Sequence, residues 1–253
     1  MNNKNQKPSE KIILCGIQAR MASSRLPKKV ITPIEGRPMI SIIIDSLNSS
    51  QLITKNIVLT SNEKTDDSFV DLLKSLNIDF LRASQEDVIE RYYLAAKKEN
   101  ADLIVRITGD CPLVDPDIVD EVISQTIEHS ADYCSNVGDR TFPRGYDVEV
   151  FTFEVLEKMY YEVTDPIERE YVTIHIRKNS NLYKIHNVSS KYNHPEWRVC
   201  VDTTEDLELI KEIFKHYKNK KQISYNNVIS LFEQNPDLPK INSHVQQRTY
   251  MQK

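Results

Sequence analysis

The sequence predicts an α/β fold, a mostly parallel sheet flanked by helices. Three observations carry that expectation. Strand-length apolar runs alternate with stretches of helical periodicity along most of the chain. The composition, 40% hydrophobic and 28% charged, is that of a globular protein, and no apolar run approaches the length of a membrane span. The loops leaving the apolar runs also hold concentrated charge, and open α/β sheets bind ligands at such strand ends.

In chain order, the polar stretch 1–10 reads as a disordered lead-in without a signal-peptide core, which points to a cytoplasmic protein. Lys11–Ile17 is a buried strand. Pro38, after the turn at 33–37, opens a helix running to about Asn48. Asn56–Thr60 is the second strand, and Thr65 or Asp66 caps the helix that follows. Ile78–Leu81 is a short strand, and Ser84 to Asp87 reads as a capping box before a helix bearing Val88, Ile89, Tyr92 and Tyr93.

Asp102–Thr108 is the strongest central-strand candidate, with a helix from Pro116 to about His129 after it. Ala131–Ser135 and Tyr146–Phe151 read as strands around an irregular loop, and Glu154–Tyr161 as a helix. Asp165-Pro166-Ile167-Glu168 opens a further helix to about Asn179. Leu182–Val188 and Arg198–Val201 are strands, Thr203 and Ser224 begin the last two helices, and 235–253 is a polar tail. Residues 11–234 therefore form one domain, in which about 138–190 is a candidate lobe for substrate binding or dimerisation.

Composition narrows the function classes. The net charge of −4 gives no reason to expect nucleic acid or an anionic membrane as partner. Cys15, Cys111, Cys134 and Cys200 are scattered without C-x-x-C spacing, so they read as buried thiols rather than zinc ligands or disulfides. Against the acidic balance, the loop after the first strand concentrates Arg20, Arg25, Lys28 and Lys29 with Ser23 and Ser24, and holds no acid. Cations, hydroxyls and backbone N–H groups in such a loop suit a polyphosphate, although neither a Walker motif nor G-x-G-x-x-G is present.

Two acids face that loop in the expected topology. Asp110 follows Gly109 at the end of the central strand, and Asp202 follows the run Trp197–Val201 directly before a helix that it could also cap. Mg²⁺ takes a few carboxylates together with phosphate oxygens and water, so two strand-end acids and a basic loop have a joint explanation. Arg144, Asp147 and Glu149 surround Gly145, with the two acids at strand spacing on one face. Acids in a cleft suit sugar hydroxyls or an amino group, and Arg144 suits a carboxylate. His175 is a further candidate on the next helix.

The stretches Ala19-Arg20-Met21-Ala22-Ser23-Ser24-Arg25-Leu26-Pro27-x-Lys29, Thr108-Gly109-Asp110-Cys111-Pro112-Leu113 and Val201-Asp202-Thr203-x-Glu205-Asp206-Leu207 resemble the cytidylyltransferase superfamily, which includes CMP-ketodeoxyoctonate synthetase and acylneuraminate cytidylyltransferases. Arg144 to Phe151 and Glu168 to Thr173 are similar to later motifs of its spore coat polysaccharide branch. The resemblance implies a Rossmann-like (GT-A-like) nucleotidyltransferase fold and transfer of CMP from CTP to a sugar with release of pyrophosphate. The leading reading of the acceptor is an acidic or amino sugar for a surface glycan.

Carried onto this sequence, the resemblance implies that Ala19, Arg20, Ser24, Arg25, Lys29, Gly109 and Asp110 bind the nucleotide, that Asp110 and Asp202 bind Mg²⁺, and that Arg20, Lys29 and Asp110 serve the chemistry. The residue reading gives Arg144, Asp147, Glu149 and His175 for the acceptor, and the resemblance implies a homodimer. The chain departs from the family pattern in having Lys28 where glycine is common, Thr204 where proline is common, and Tyr171 where that branch often has histidine. The alternatives are a nucleotidyltransferase using another NTP, such as GTP, with a sugar 1-phosphate, or a glycosyltransferase on a related fold.

Overall fold

The computed structural model describes residues 11–247 except Ser24, Asn219 and Lys221. Its centre is a seven-stranded sheet in the order β5-β4-β1-β6-β8-β7-β9. These strands are β1 (Ile13–Gln18), β4 (Lys55–Ser61), β5 (Phe80–Ala83), β6 (Leu103–Thr108), β7 (Tyr133–Ser135), β8 (Glu149–Thr152) and β9 (Ile185–Asn187). A two-residue hairpin, β2 (Pro33–Ile34) with β3 (Arg37–Pro38), lies apart from it. The sheet is parallel except that β8 runs antiparallel to both β6 and β7. A mostly parallel α/β architecture with helices on both faces is what the alternation predicted.

Strand alternation explains the two layers. In β1, Ile13, Cys15 and Ile17 pack into one apolar cluster and Leu14 into the other; in β6, Leu103, Val105 and Ile107 oppose Ile104 in the same way. The first cluster is closed by α1 (Met39–Leu47), α2 (Asp67–Ser75), α4 (Pro116–Glu128), α8 (Thr204–His216) and α9 (Tyr225–Gln234). The second is closed by α3 (Val88–Glu99) and α5 (Phe153–Glu162), with α6 (Pro166–Tyr171) and α7 (Ile174–Lys178) continuing from them.

Several local expectations shift. Pro38 is the extended N-cap of α1 rather than its first residue. Asp87, not Ser84, caps α3, accepting a hydrogen bond from the backbone N of Glu90. The strand expected over 146–151 begins at Glu149, so Asp147 lies in the loop before it. The single helix expected from Asp165 to Asn179 breaks at Val172, whose φ of 55° cannot continue a right-handed turn; the N–H of Thr173 instead bonds the carbonyl of Tyr171.

The expected strand 198–201 is an extended segment with one parallel bridge, Arg198 to Arg144. Asp202 therefore does not end a sheet strand. Its segment is tied down by Val199 N to Arg144 O, 2.7 Å, and Val201 N to Asp110 O, 2.8 Å. Residues 235–247, read as the start of a polar tail, fold back after α9 and bury Asn242. The rest of that stretch and the expected lead-in 1–10 lie outside the described residues.

Candidate active site

Strand order reverses at β1, which has β4 on one side and β6 on the other, and a parallel sheet opens a crevice at such a point. Gln18 ends β1 in register with Leu59 and Thr108. The loops after β1 and β6 thus leave the sheet side by side. Gly109 N donates to Gln18 O at 2.9 Å, and a Cβ on Gly109 would stand 2.7 Å from that of Ala19. The basic-loop and carboxylate motifs touch because residue 109 carries no side chain.

The basic loop is anchored at its base. Asp66, fully buried before α2, accepts from Met21 N at 2.8 Å and from the Thr60 and Ser61 hydroxyls. It makes no side-chain cap to its own helix; its carboxylate is spent on holding this loop. Further along, Lys28 adopts φ 62°, the left-handed region, and its N–H bonds Met21 O. The loop closes on itself there, in a conformation that favours glycine. Ser24 lies outside the described residues.

Lys29 meets both acids. Its Nζ lies 2.8 Å from Asp110 Oδ2 and 2.6 Å from Asp202 Oδ1. Burial opposes its charge, yet the two carboxylates override that and hold the ammonium above its ordinary value. Asp110 is buried too, which alone would raise its pKa; Lys29 and the hydroxyl of Thr108, 2.5 Å away, pull it well below the carboxylate range. Arg25 Nη2 reaches Asp202 Oδ2 at 2.9 Å. Arg20 points elsewhere, donating to Gln85 O at 3.2 Å and pairing with Glu170 at 3.5 Å.

These groups line one cavity of about 800 Å³, walled by nine cationic side chains against five carboxylates. Of the residues expected for an acceptor, Arg144, Asp147 and Glu149 line it, and His175 does not. The His175 ring is held by Glu168 Oε2 at 2.7 Å instead. Glu149 is 4% exposed and committed: it pairs with Arg106 and accepts from the hydroxyls of Tyr133 and Thr173, each at 2.6 Å. Asp147 is clamped by both terminal nitrogens of Arg140, at 2.7 and 2.9 Å. Arg144 differs: burial and neighbouring Arg140 push its pKa down, the direction of a guanidinium short of negative charge.

Sequence patterns missed Arg91, Arg140 and Arg177, which reach the cavity from α3, an irregular loop and α7. Nothing in their spacing sets them apart. They also missed Arg198, although the Thr203-x-x-Asp206 capping box marks its partner Asp206. Among polar atoms, the buried Oε1 of Gln18 and Nε of Arg91 have no hydrogen-bond partner among the described residues.

The donor set fits a hard divalent cation. Two carboxylates converge on one point, where the Lys29 ammonium stands, and no cluster of three or more His, Cys, Asp or Glu exists among the described residues. Two acids completed by phosphate oxygens and water suit Mg²⁺, not a protein-only cage. None of the described helices is long and apolar enough to cross a membrane.

A family model described as cytidylyltransferase matches residues 14–241. The spore coat polysaccharide biosynthesis protein SpsF of Bacillus subtilis is 28% identical over 241 residues, covering 89% of this chain and 95% of that protein. A cytidylyltransferase structure from Leptospira borgpetersenii superposes with a TM-score of 0.87 at 32% identity, over 94% of this chain and 99% of that one. A CMP:2-keto-3-deoxy-manno-octonic acid synthetase complexed with CTP has a TM-score of 0.64 at 17% identity, covering 82% and 100%, a likeness of fold.

Proposed function

The chain belongs to the cytidylyltransferase family, and from that premise we propose that it transfers CMP from CTP to an acidic sugar, releasing pyrophosphate, with Arg20, Arg25 and Lys29 on the triphosphate and Asp110 and Asp202 on Mg²⁺. The observation that carries this reading is the convergence of Lys29 with both carboxylates at 2.8 and 2.6 Å. It brings a cation suited to phosphate and two acids suited to a metal to one point of the strand-end crevice.

Arg20, Arg25 and Lys29 are each held by protein oxygen in the described structure, so a triphosphate binds by exchange. Arg25 and Lys29 leave carboxylates, and Arg20 leaves Glu170, as phosphate oxygens replace them. When bound between Asp110 and Asp202, Mg²⁺ supplies neutralising charge at the phosphate under attack. Lys29 and Arg20 then stabilise the charge that grows on the departing pyrophosphate. Gly109, which lets the two motifs touch, and Ala19, whose N–H bonds Leu59 O, fix the floor on which the nucleotide lies.

The acceptor's acidity is supported by the excess of cations in the cavity wall. Asp147 and Glu149 are neutralised by Arg140 and Arg106, leaving Arg144 as the side chain suited to a sugar carboxylate. Asp147 and Glu149 then shape the acceptor side by holding arginines, and His175, on α7 and held by Glu168, stays outside the cavity. A homodimer through the 138–190 lobe completes the proposal; exposed Tyr161, Ile167, Leu182 and Ile185 all lie on it.

The test is pyrophosphate release with each of the four NTPs, an acidic-sugar panel, and EDTA. Turnover with CTP that stops in EDTA and in Asp110→Asn supports the assignment. Release with GTP and a sugar 1-phosphate, or undiminished activity in EDTA, rejects it.

A further inference from the structure

Asp202 is held from behind by an array that reaches the end of the described chain. Arg198 Nη2 donates to Asp202 Oδ2 at 2.7 Å and to Asp206 Oδ2 at 3.1 Å, while its Nε donates to Asp206 Oδ1 at 2.9 Å. Asp206 Oδ2 also accepts from the backbone N–H groups of Asp202 and Thr203, at 2.9 and 3.1 Å. Arg198 is 5% exposed and Asp206 is fully buried. A planar guanidinium forked across two carboxylates fixes both in one orientation, which a lysine could not do.

That array is closed by the segment after α9. Asn242, 2% exposed, donates from Nδ2 to Asp206 Oδ1 at 2.8 Å and to the backbone carbonyl of Arg198 at 3.0 Å. The third guanidinium nitrogen, Nη1, is taken by Gln247 Oε1, and Gln247 itself lines the cavity. Arg198 is therefore tied to residues 242–247 through both its backbone carbonyl and its guanidinium. The far side of Asp202 is left to present Oδ1 toward the crevice, where Lys29 meets it.

We propose that Arg198 and Asn242 are positioning residues for Asp202, which makes the C-terminal segment 235–247 part of the reaction centre. The inference rests on the metal role given to Asp202 above. Neither residue touches substrate; both act by fixing the rotation of one carboxylate. A simple fold-stabilising role makes a different prediction, because it lowers stability without changing how the correctly folded fraction binds a divalent cation.

The experiment measures Mn²⁺ affinity by electron paramagnetic resonance in the presence of CTP and without acceptor, for the full chain and for Arg198→Lys, Asn242→Ala and Gln247→Ala. CTP affinity in EDTA and melting temperature are recorded alongside. The expected result is Mn²⁺ affinity about tenfold weaker in Asn242→Ala and weaker still in Arg198→Lys, with CTP affinity in EDTA within twofold of the parent. In turnover, the Mg²⁺ concentration for half-maximal rate rises in parallel, and excess Mg²⁺ restores most of kcat in Asn242→Ala. Gln247 is exposed, so Gln247→Ala folds even where the buried substitutions do not, and it should weaken Mn²⁺ severalfold. Folded variants that bind Mn²⁺ within twofold of the parent overturn the inference alone. A parent chain that takes up no Mn²⁺ with CTP overturns the metal role of Asp202 and this inference with it.

Discussion

Lys29 is where the chemistry and the resting structure compete. Two carboxylates near one point would ordinarily repel, leaving one protonated. Here the ammonium neutralises them, and under the proposed function Lys29 stands in for the cation until a triphosphate draws it away. Two consequences follow at this scale. Lys29→Met should bind Mn²⁺ more tightly than the parent when no nucleotide is present, as read by titration calorimetry; unchanged or weaker binding would sink the stand-in role. In turnover, the same substitution removes a charge partner of the leaving group and should lower kcat about a hundredfold, with a smaller change in KM. Asp202→Asn should cost more than Asp110→Asn in melting temperature, because Asp202 also holds Arg25 and Arg198.

At the scale of elements, two backbone positions and one buried pair carry the site. Gly145 has φ 110°, and a Cβ there would lie 2.6 Å from Val199 C and 2.8 Å from Cys200 N. The loop carrying Arg144 can bridge the 198–201 segment only because that side chain is absent. Gly145→Ala should therefore destabilise the protein by about 2 kcal/mol or more and disturb Asp202, measured by urea unfolding and Mn²⁺ binding. Lys28 is the opposite case: a left-handed residue costs ~1–2 kcal/mol, and glycine's extra chain entropy costs ~0.5–1 kcal/mol. Lys28→Gly should be stabilising by about 0.5 kcal/mol with activity retained.

The Arg106–Glu149 pair joins β6 to β8, and removing one partner leaves a buried charge, at a cost of about 3–5 kcal/mol for Glu149→Ala. Burial raises the pKa of Glu149, but Arg106, Arg177 and the two hydroxyls outweigh it and set it below the ordinary 4.5. A depressed folded value means the contribution is complete above that ordinary value and is lost as pH falls through the folded one. Acid unfolding of the parent should thus be steeper below about pH 4.5 than that of Glu149→Gln.

For the whole molecule, one sheet serves both apolar layers and the crevice, so core packing and site geometry are coupled. The large exposed apolar side chains that cluster on 138–190, with Tyr161 at 66% and Leu182 at 58% exposure, are the surface a homodimer would cover. Light scattering should give twice the chain mass, and a structure of the dimer should show about 1,600 Å² or more buried in total. A monomer mass at all concentrations, or a Tyr161→Asp, Leu182→Asp variant that stays dimeric, would move the interface elsewhere or remove it.

Period and punctuation alone determined the α/β class, most helices, the loop after β1 and the two candidate metal acids, because each is a local pattern: apolar alternation, a capping residue, a run of like charge. Asp110 and Asp202 could be paired as candidates since each follows an apolar run, although only the run before Asp110 is a sheet strand. What lay beyond reach was every contact between distant segments. The breaking of the 165–179 helix is set by Val172 seated in the core at positive φ, and the reversal of β8 by a pairing with β6 across more than forty residues. Which cation each acid is committed to was likewise settled by tertiary packing: Asp110 and Asp202 meet Lys29, whereas Arg106 and Arg140 take Glu149 and Asp147. Asn242 carried no signal, since an asparagine in a polar stretch acquires its role only when the chain folds back onto Arg198 and Asp206. Burial and charge neutralisation are properties of neighbours in space, and a linear pattern records neighbours in the chain.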